Sequence, residues 1–477
     1  MNAKPGWNRT HPASMVMALG AAALLCACAD VSMKPYQRPD TPSKTGWAGT
    51  QAPPAAPGVL IEQDWWKGFG DRDLDTLVAR AVRDNVDLRV LAARTKVAGA
   101  QIDEARAGAL PTLDAGAGAS FEKSTGQKFS KQFSLGTQVN WDIDVWGQVA
   151  KGAEAQTAEF RATEADWRAG YLTLASDVAT TYFQILQFDE QVARQQKTLD
   201  KNRQILATYE AMQQQGLLPE TRVIQQRAEL NRLSNDLIEL GRLRALSGNA
   251  LATLLGIPAG NFRLPTGALQ DRVQLPAVPE GLPSDLLKRR PDIVAAEYRV
   301  LASYDAVGQA KLAQLPSISL TGRGGTSSFA LGSLLKSFTF GLLPSINFPI
   351  FDPGVKARLK TSQASNEVAE QEYRKVVMAA FEEVENTLVN LDAHRRQRIE
   401  LQAQAQRLGI VATTVEAQLK EGVVSQLEVF EAERSLLAAQ LALLANHQQV
   451  LADTVTLYKA LGGGWPPVDV RNATARN

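Results

Sequence analysis

The sequence predicts a mostly α-helical α+β chain, built as two tandem copies of one unit and contributing four β-strands to a membrane barrel. Three observations lead there: a repeat with a period near 206 residues, alternating apolar and polar stretches, and two very long proline-free helical stretches.

Local matches fix the repeat. Leu110-Pro111 returns as Leu315-Pro316, 205 residues on. Asn140-Trp141 with Gly147 returns as Asn347-Phe348 with Gly354, 207 on. Gly216-Leu217-Leu218 returns as Gly422-Val423-Val424, 206 on. So small a drift over such a span makes each half one structural unit.

After each Leu-Pro pair the hydrophobic period changes from helical to two. Leu113, Ala115, Ala117, Ala119 and Phe121 alternate with polar or small residues. Beyond a Gly/Lys-rich turn Phe133, Leu135, Val139, Trp141, Ile143 and Val145 do the same. The second half has Ile318 and Leu320, then Phe338, Phe340, Leu342, Ile346, Phe348 and Ile350. Alternation over about ten residues suits a strand with one face to lipid and one to a lumen. A hairpin at the edge of a soluble sandwich alternates likewise, so the export signal and the helices that follow must decide.

Residues 148–215 and 355–421 hold no proline and carry apolar stripes at helical spacing, such as Tyr171, Leu174, Val178, Phe183 and Leu186. Such helices would be about 100 Å long, enough to stand across an aqueous compartment. A coiled-coil rod is the alternative, but a rod has no use for a β-hairpin before each helix. Each helix ends in a turn, Gln215-Gly216-Leu217-Leu218-Pro219 or Glu421-Gly422-Val423-Val424-Ser425, with glycine suited to the helix end. The paired apolar residues either staple the helix pair or dock a partner. Upstream, a helix starting near Asp71 breaks at Asn85-Val86 and resumes with Asp87 as its N-cap. Its counterpart starts at Asp292 after Pro291.

Residues 1–27 read as a lipoprotein signal. Lys4 and Arg9 precede the apolar run Ser14 to Leu25, too short for a span, and Leu25-Cys26-Ala27 precedes Cys28, the residue expected to carry lipid such as palmitate. A plain secretory peptide is the alternative. Ala29, not Asp, follows Cys28, which favours outer-membrane delivery with a large periplasmic portion. Residues 28–62, rich in Pro, Thr and Gly, suit a lipid-anchored extended linker. Then come the first repeat (63–255), a crossover at the equator with six prolines (256–291), the second repeat (292–461) and a C-terminal tail (462–477).

Composition narrows the function. Loss of the leader turns the formal charge from +1 to −1, against an electrostatic nucleic-acid binder. Cys26 and Cys28 are the two cysteines, so the body has no disulfide or thiolate metal site. His394 and His447 read as helix-surface residues without a metal partner at ligand spacing, and His11 leaves with the leader. Neither a Gly-rich phosphate loop with its Lys nor a Gly-x-Ser-x-Gly elbow occurs. No catalytic residue, metal or cofactor is expected. Past the leader no run of eighteen apolar residues exists, so a membrane could be crossed only as a barrel. Four strands cannot close one, and lipid tolerates no open edge, so copies must assemble around an axis that also gathers the long helices into a tube.

Several stretches carry a resemblance: Asp64-Trp65-Trp66-Lys67-Gly68-Phe69-Gly70-Asp71, Trp141-Asp142-Ile143-Asp144-Val145-Trp146-Gly147, Gly281-Leu282-Pro283-Ser284-Asp285-Leu286-Leu287 through Arg289-Arg290-Pro291-Asp292-Ile293, and Leu461-Gly462-Gly463-Gly464-Trp465. With them the chain resembles the outer-membrane factors of the TolC/OprM type, especially the lipoprotein branch of efflux channels. The resemblance implies a homotrimer, with a twelve-stranded barrel continuing into a twelve-helix periplasmic tunnel. It implies a passive exit duct for drugs or other small toxic compounds in a tripartite efflux system. The partners implied are a periplasmic adaptor (membrane fusion protein) and an inner-membrane pump, usually of the resistance-nodulation-division class. It places adaptor docking at Gly216, Leu217, Leu218, Gly422, Val423 and Val424, and a periplasmic gate at Leu427, Glu431 and Arg434. Relatives usually carry Asp where this chain has Glu431, and an ordinary surface pair between Glu431 and Arg434 is the alternative. Other outcomes are a type I protein-secretion or metal-ion export channel, or a spacer without a pore.

Overall fold

The computed structural model describes residues 33–42, 46–47, 63–123, 125–126, 129–276, 287–466, 468 and 470, so the leader and Cys28 lie outside the described residues. The first copy runs α1 (Arg72–Asp84), α2 (Val86–Ala107), β1 (Thr112–Glu122), β2 (Ser130–Ile143), α3 (Gln148–Gln214) and α4 (Glu220–Leu254). The second runs α5 (Pro291–Leu312), β3 (Ser317–Ser328), β4 (Thr339–Asn347), α6 (Pro353–Lys420) and α7 (Gln426–Ala460). The long helices have 67 and 68 residues and both return helices have 35, so the repeat holds element by element.

The four strands form one antiparallel sheet in the order β1-β2-β3-β4. Two hairpins therefore sit side by side, with β1 and β4 as open edges. On the side of the strands, helices pack laterally in the order α2, α3, α5, α6. Towards the far end the order becomes α4, α3, α7, α6. The long helices α3 and α6 run through both layers, and α6 is a free flank along its whole length.

Where the layers meet, the aromatic stretch after Asp64 forms a 3-10 turn, Trp65–Phe69, that buries Trp65, Trp66 and Phe69. Their core includes Leu74, Val78, Phe183, Leu186, Leu251 and Leu451, and Trp65 stacks on Tyr458 at 5.1 Å between centroids. Asp71 caps α1 and accepts a hydrogen bond from the Tyr182 hydroxyl at 2.7 Å.

The cap of α2 is Asn85, where the sequence pattern points to Asp87. Asn85 Oδ1 accepts from Leu88 N at 2.9 Å while its amide donates to Leu254 O at 3.0 Å. A carboxylate could make the first bond but not the second. The end of α4 is thereby tied to the kink. It lies so close that a Cβ on Gly256, whose φ is +69°, would fall 2.4 Å from Asp84 O.

The described part of the expected linker is bound rather than free. Arg38 grips Glu297 of α5 through two hydrogen bonds of 2.7 and 2.5 Å, and Glu297 has 0% exposure. Asp40 O accepts from Arg374 Nε at 3.0 Å. Trp47 joins a second core with Ile293, Val300, Tyr373, Val377 and Leu457. Burial alone would lower the Arg38 pKa, but its bonds to Glu297 raise it, so the guanidinium stays charged. Arg38→Ala takes two hydrogen bonds from a buried carboxylate and should cost about 3–5 kcal/mol. The double change Arg38→Met with Glu297→Met should recover most of that, as read by chemical denaturation.

Candidate channel wall, gate and docking tips

The strand register sorts side chains onto two faces. Leu113 lies opposite Val139, Ala117 opposite Leu135, and Ala119 opposite Phe133. Trp141 pairs with Leu320 and Ile143 with Ile318. Ile318 pairs in turn with Ile346 and Gly322 with Leu342. One apolar face thus crosses all four strands, exposed at Leu113, Leu135, Val139, Trp141, Leu342 and Ile346 and half-buried along β3. The opposite face carries Asp114, Gln138, Asn140, Ser319, Thr321, Arg323 and Ser345. A lane of Gly116, Gly136 and Gly325 crosses it, so the polar side is not filled by side chains. Aromatic residues stand at both ends of the band. At the end joined to the helices, Trp141 Nε1 donates to Ala109 O and Trp146 Nε1 to Pro316 O. At the other end Phe121 contacts Phe129 and Phe133. An apolar outer band between aromatic girdles around a polar interior is the pattern of a membrane barrel wall. Among the described residues no helix is long and apolar enough to cross a membrane.

At the far end, both helix hairpins close with the same backbone motif. Gly216 (φ +73°) donates to Gln213 O and Leu217 N to Met212 O. Gly422 (φ +75°) donates to Leu419 O and Val423 N to Gln418 O. These are Schellman ends, which need a left-handed residue and so select glycine. The two apolar residues of each tip differ in exposure. Leu218 and Val424 are partly buried against their hairpins, whereas Leu217 and Val423 are 66% and 69% exposed.

The residues matched to a gate lie in the first nine residues of α7. Leu427, Glu431 and Arg434 share a helix face by their spacing, and all three are exposed. Arg434 pairs with Glu431 at 2.5 Å. Arg434 also lies near Glu229 of α4, whose pKa is lowered first by its hydrogen bond to Arg232 and further by the charges of Arg232 and Arg434. The cation thus faces acids on two helices of different hairpins.

A second link between the hairpins was not legible in the sequence. Lys201 of α3 reaches Glu433 of α7 at 2.5 Å and Glu416 of α6 at 3.2 Å. Burial would lower the Lys201 pKa, but its bonds to the two carboxylates raise it. Beside it Leu199, Leu233 and Leu437 join α3, α4 and α7. Residues more than 200 apart in sequence leave no spacing signal, so this cluster could be found only in three dimensions.

The histidines also depart from the surface positions expected of them. His394 Nδ1 lies 2.6 Å from Asp453 Oδ2. His447 is 8% exposed. Burial first, and then the charge of Arg398, depress its pKa to about 4, against an opposing effect of Glu190. An unfolded histidine titrates near 6.5. Between about pH 6.5 and 4 the unfolded chain therefore binds a proton that the folded chain refuses. Stability should fall across that window by up to about 3 kcal/mol. His447→Gln should flatten this part of the pH profile of chemical unfolding, while a profile identical to wild type would contradict the assignment.

Similarity to known proteins agrees with this geometry. The outer membrane efflux protein family matches over residues 77–257 and again over 282–463, one match per repeat. The pyoverdine export outer membrane protein OpmQ of Pseudomonas putida is 31% identical, covering 88% of this chain and 92% of its own length. The toluene efflux pump outer membrane protein TtgF of Pseudomonas putida is 32% identical over 95% of this chain and 98% of its own. The open-state crystal structure of the Neisseria gonorrhoeae MtrE outer membrane channel superposes with a TM-score of 0.81 at 29% identity, covering 92% of this chain and 98% of that one. The chain belongs to the outer membrane efflux protein family.

Proposed function

We propose that this outer-membrane efflux channel works as a homotrimer, a passive exit duct for small toxic organic compounds delivered by an inner-membrane pump through a periplasmic adaptor. The observation that carries the proposal is the pair of unfilled flanks on a single chain. The sheet ends in unpaired β1 and β4. Alongside, α6 exposes Val368, Met378, Val389, Ile399 and Ile410, spaced ten or eleven residues apart. That stripe has a period near 3.5, as in a supercoiled seam. The opposite flank exposes Val86, Val90 and Val97 on α2, then Ile224 and Ile238 on α4. Head-to-tail packing of α6 on the next copy's α2 and α4 covers both, and such heterologous contacts close a ring. Three copies supply twelve strands and twelve helices per layer, enough for the barrel and tunnel that the family resemblance implies.

OpmQ and TtgF are named for pyoverdine and toluene export, which favours small organic cargo here. The energy of transport belongs to the pump. Cys28, outside the described residues, supplies the lipid anchor at the outer membrane. The tips, with Leu217 and Val423 outermost, take the adaptor. Leu427, Glu431 and Arg434 hold the mouth narrow until adaptor binding favours the dilated state.

Two outcomes test this reading. A deletion strain should become sensitive to toxic organic compounds and be rescued by the wild-type gene but not by Leu217→Asp with Val423→Asp, although that variant still assembles. Sensitivity to metal ions alone, or lost secretion of a protein, would reassign the cargo. Arg434→Ala or Glu431→Ala should loosen the closed mouth. If each removes about 1 kcal/mol from the closed state, the ratio of open to closed channels rises about five-fold. Unchanged single-channel conductance and antibiotic entry in both variants would contradict the gate.

A further inference from the structure

The loop joining β3 to β4 plays no part in the duct, the mouth or the tips. It contains a 3-10 turn, Leu331–Lys336, and exposes Phe329, Leu331, Leu335 and Phe338. Instead of projecting into solvent it folds back on the sheet. The Thr326 hydroxyl donates to Leu334 O, and the Ser328 and Ser333 hydroxyls lie 2.6 Å apart. The Phe338 ring lies on Gly324, where a Cβ would come within 3.1 Å of Cζ.

The register says which side of the wall this is. Gly324, Thr326 and Ser328 pair with Thr137, Leu135 and Phe133, on the same face as Leu320 and Trp141. The loop therefore lies on the outer face of the barrel at the end away from the helices. It covers β3 and approaches β2. Neighbouring copies join at β1 and β4, so they leave it bare, and it continues the band that meets lipid.

Cations stand at the same end of the strands. Lys131 lies opposite Phe121 on the apolar face, Lys336 ends the 3-10 turn, and Lys123 follows β1. All three are exposed, and none has a carboxylate partner among the described residues. Glu122 pairs with Ser130 on the lumenal face.

We propose that this rim is a binding site for anionic lipid of the outward leaflet. Phe329, Leu331, Leu335 and Phe338 occupy the boundary between acyl chains and headgroups. Lys131, Lys336 and Lys123 reach the phosphates just above, as long basic side chains do at a membrane surface. The site rests on the barrel reading given above, and it assigns the loop an anchoring role.

The test uses the full-length oligomer, delipidated stepwise from mixed vesicles of phosphatidylcholine and phosphatidylglycerol. Retained lipid is counted by mass spectrometry, and conductance is measured in parallel. Wild type should retain phosphatidylglycerol preferentially, less so at high salt. Lys131→Gln and Lys336→Gln should each reduce that preference about five-fold, without changing oligomeric mass or conductance. Leu331→Ser with Leu335→Ser should weaken retention of both lipids. Normal conductance with undiminished preference in the lysine variants would overturn the proposal while leaving the duct intact. Altered conductance with unchanged lipid in the leucine variant would place the loop at the pore and also overturn it. A wild-type protein that does not conduct would instead refute the duct.

Discussion

An open strand edge cannot remain unpaired in hydrocarbon. Each backbone N–H or C=O left without a partner there costs several kcal/mol, and both β1 and β4 present a row of them. Most other features follow from this constraint. The proposed assembly answers this by finding the missing strands in identical copies, so that the sheet closes around an axis. That axis then sets where the helices stand. The α6 stripe and the free faces of α2 and α4 lie on opposite flanks, as a ring of head-to-tail contacts requires. Lateral closure of the sheet and of the helical wall is one requirement expressed in two materials.

Duplication supplies the scaffold, and divergence at the helix ends supplies the differences. Both tips end in the same glycine motif, but the following helices begin differently. Pro219 precedes α4 without a side-chain cap, whereas Ser425 and Glu428 form a capping box at the start of α7. The strand-to-helix junctions differ too, with left-handed Gly147 before α3 and Asp352, bonded to Gly354 N and Val355 N, before α6. The Glu431–Arg434 pair belongs to the second hairpin only. Glu229 of the first hairpin lies near Arg434, and Lys201 of the same hairpin reaches Glu433 and Glu416, so the two copies are held together at this end. These links are partly exposed and individually weak. Weak, separable bonds suit the mouth proposed here, although the strand-side layer also carries partly exposed pairs between the copies, Lys151 with Asp305 and Arg299 with Asp166.

Much of this was legible in the sequence because the signals were periodic or local. The repeat, the alternating strands, the two long helices and the glycine tips each follow from residues close together along the chain, and each stands where the pattern put it. What escaped were contacts between distant residues. Asp87 looked like a cap because its carboxylate suits that role, but only Asn85 could also donate to Leu254 O. The linker reads as an extended tether because prolines and glycines favour extension. No local signal announced that Arg38 would find Glu297, 259 residues away. His447 reads as a surface residue of its helix, but its ring is buried, and the charges of Glu190 and Arg398 that act on it come from other helices. The proposed docking tips and mouth rest on resemblance, and the Lys201 bridge on geometry alone.

The central claim is that one chain builds only part of a wall that identical chains complete. Mass measurement of the purified protein in mild detergent, combined with conductance in a planar bilayer, tests it most directly. The account predicts a particle of three chains that passes ions. A stable single chain that passes none would contradict it.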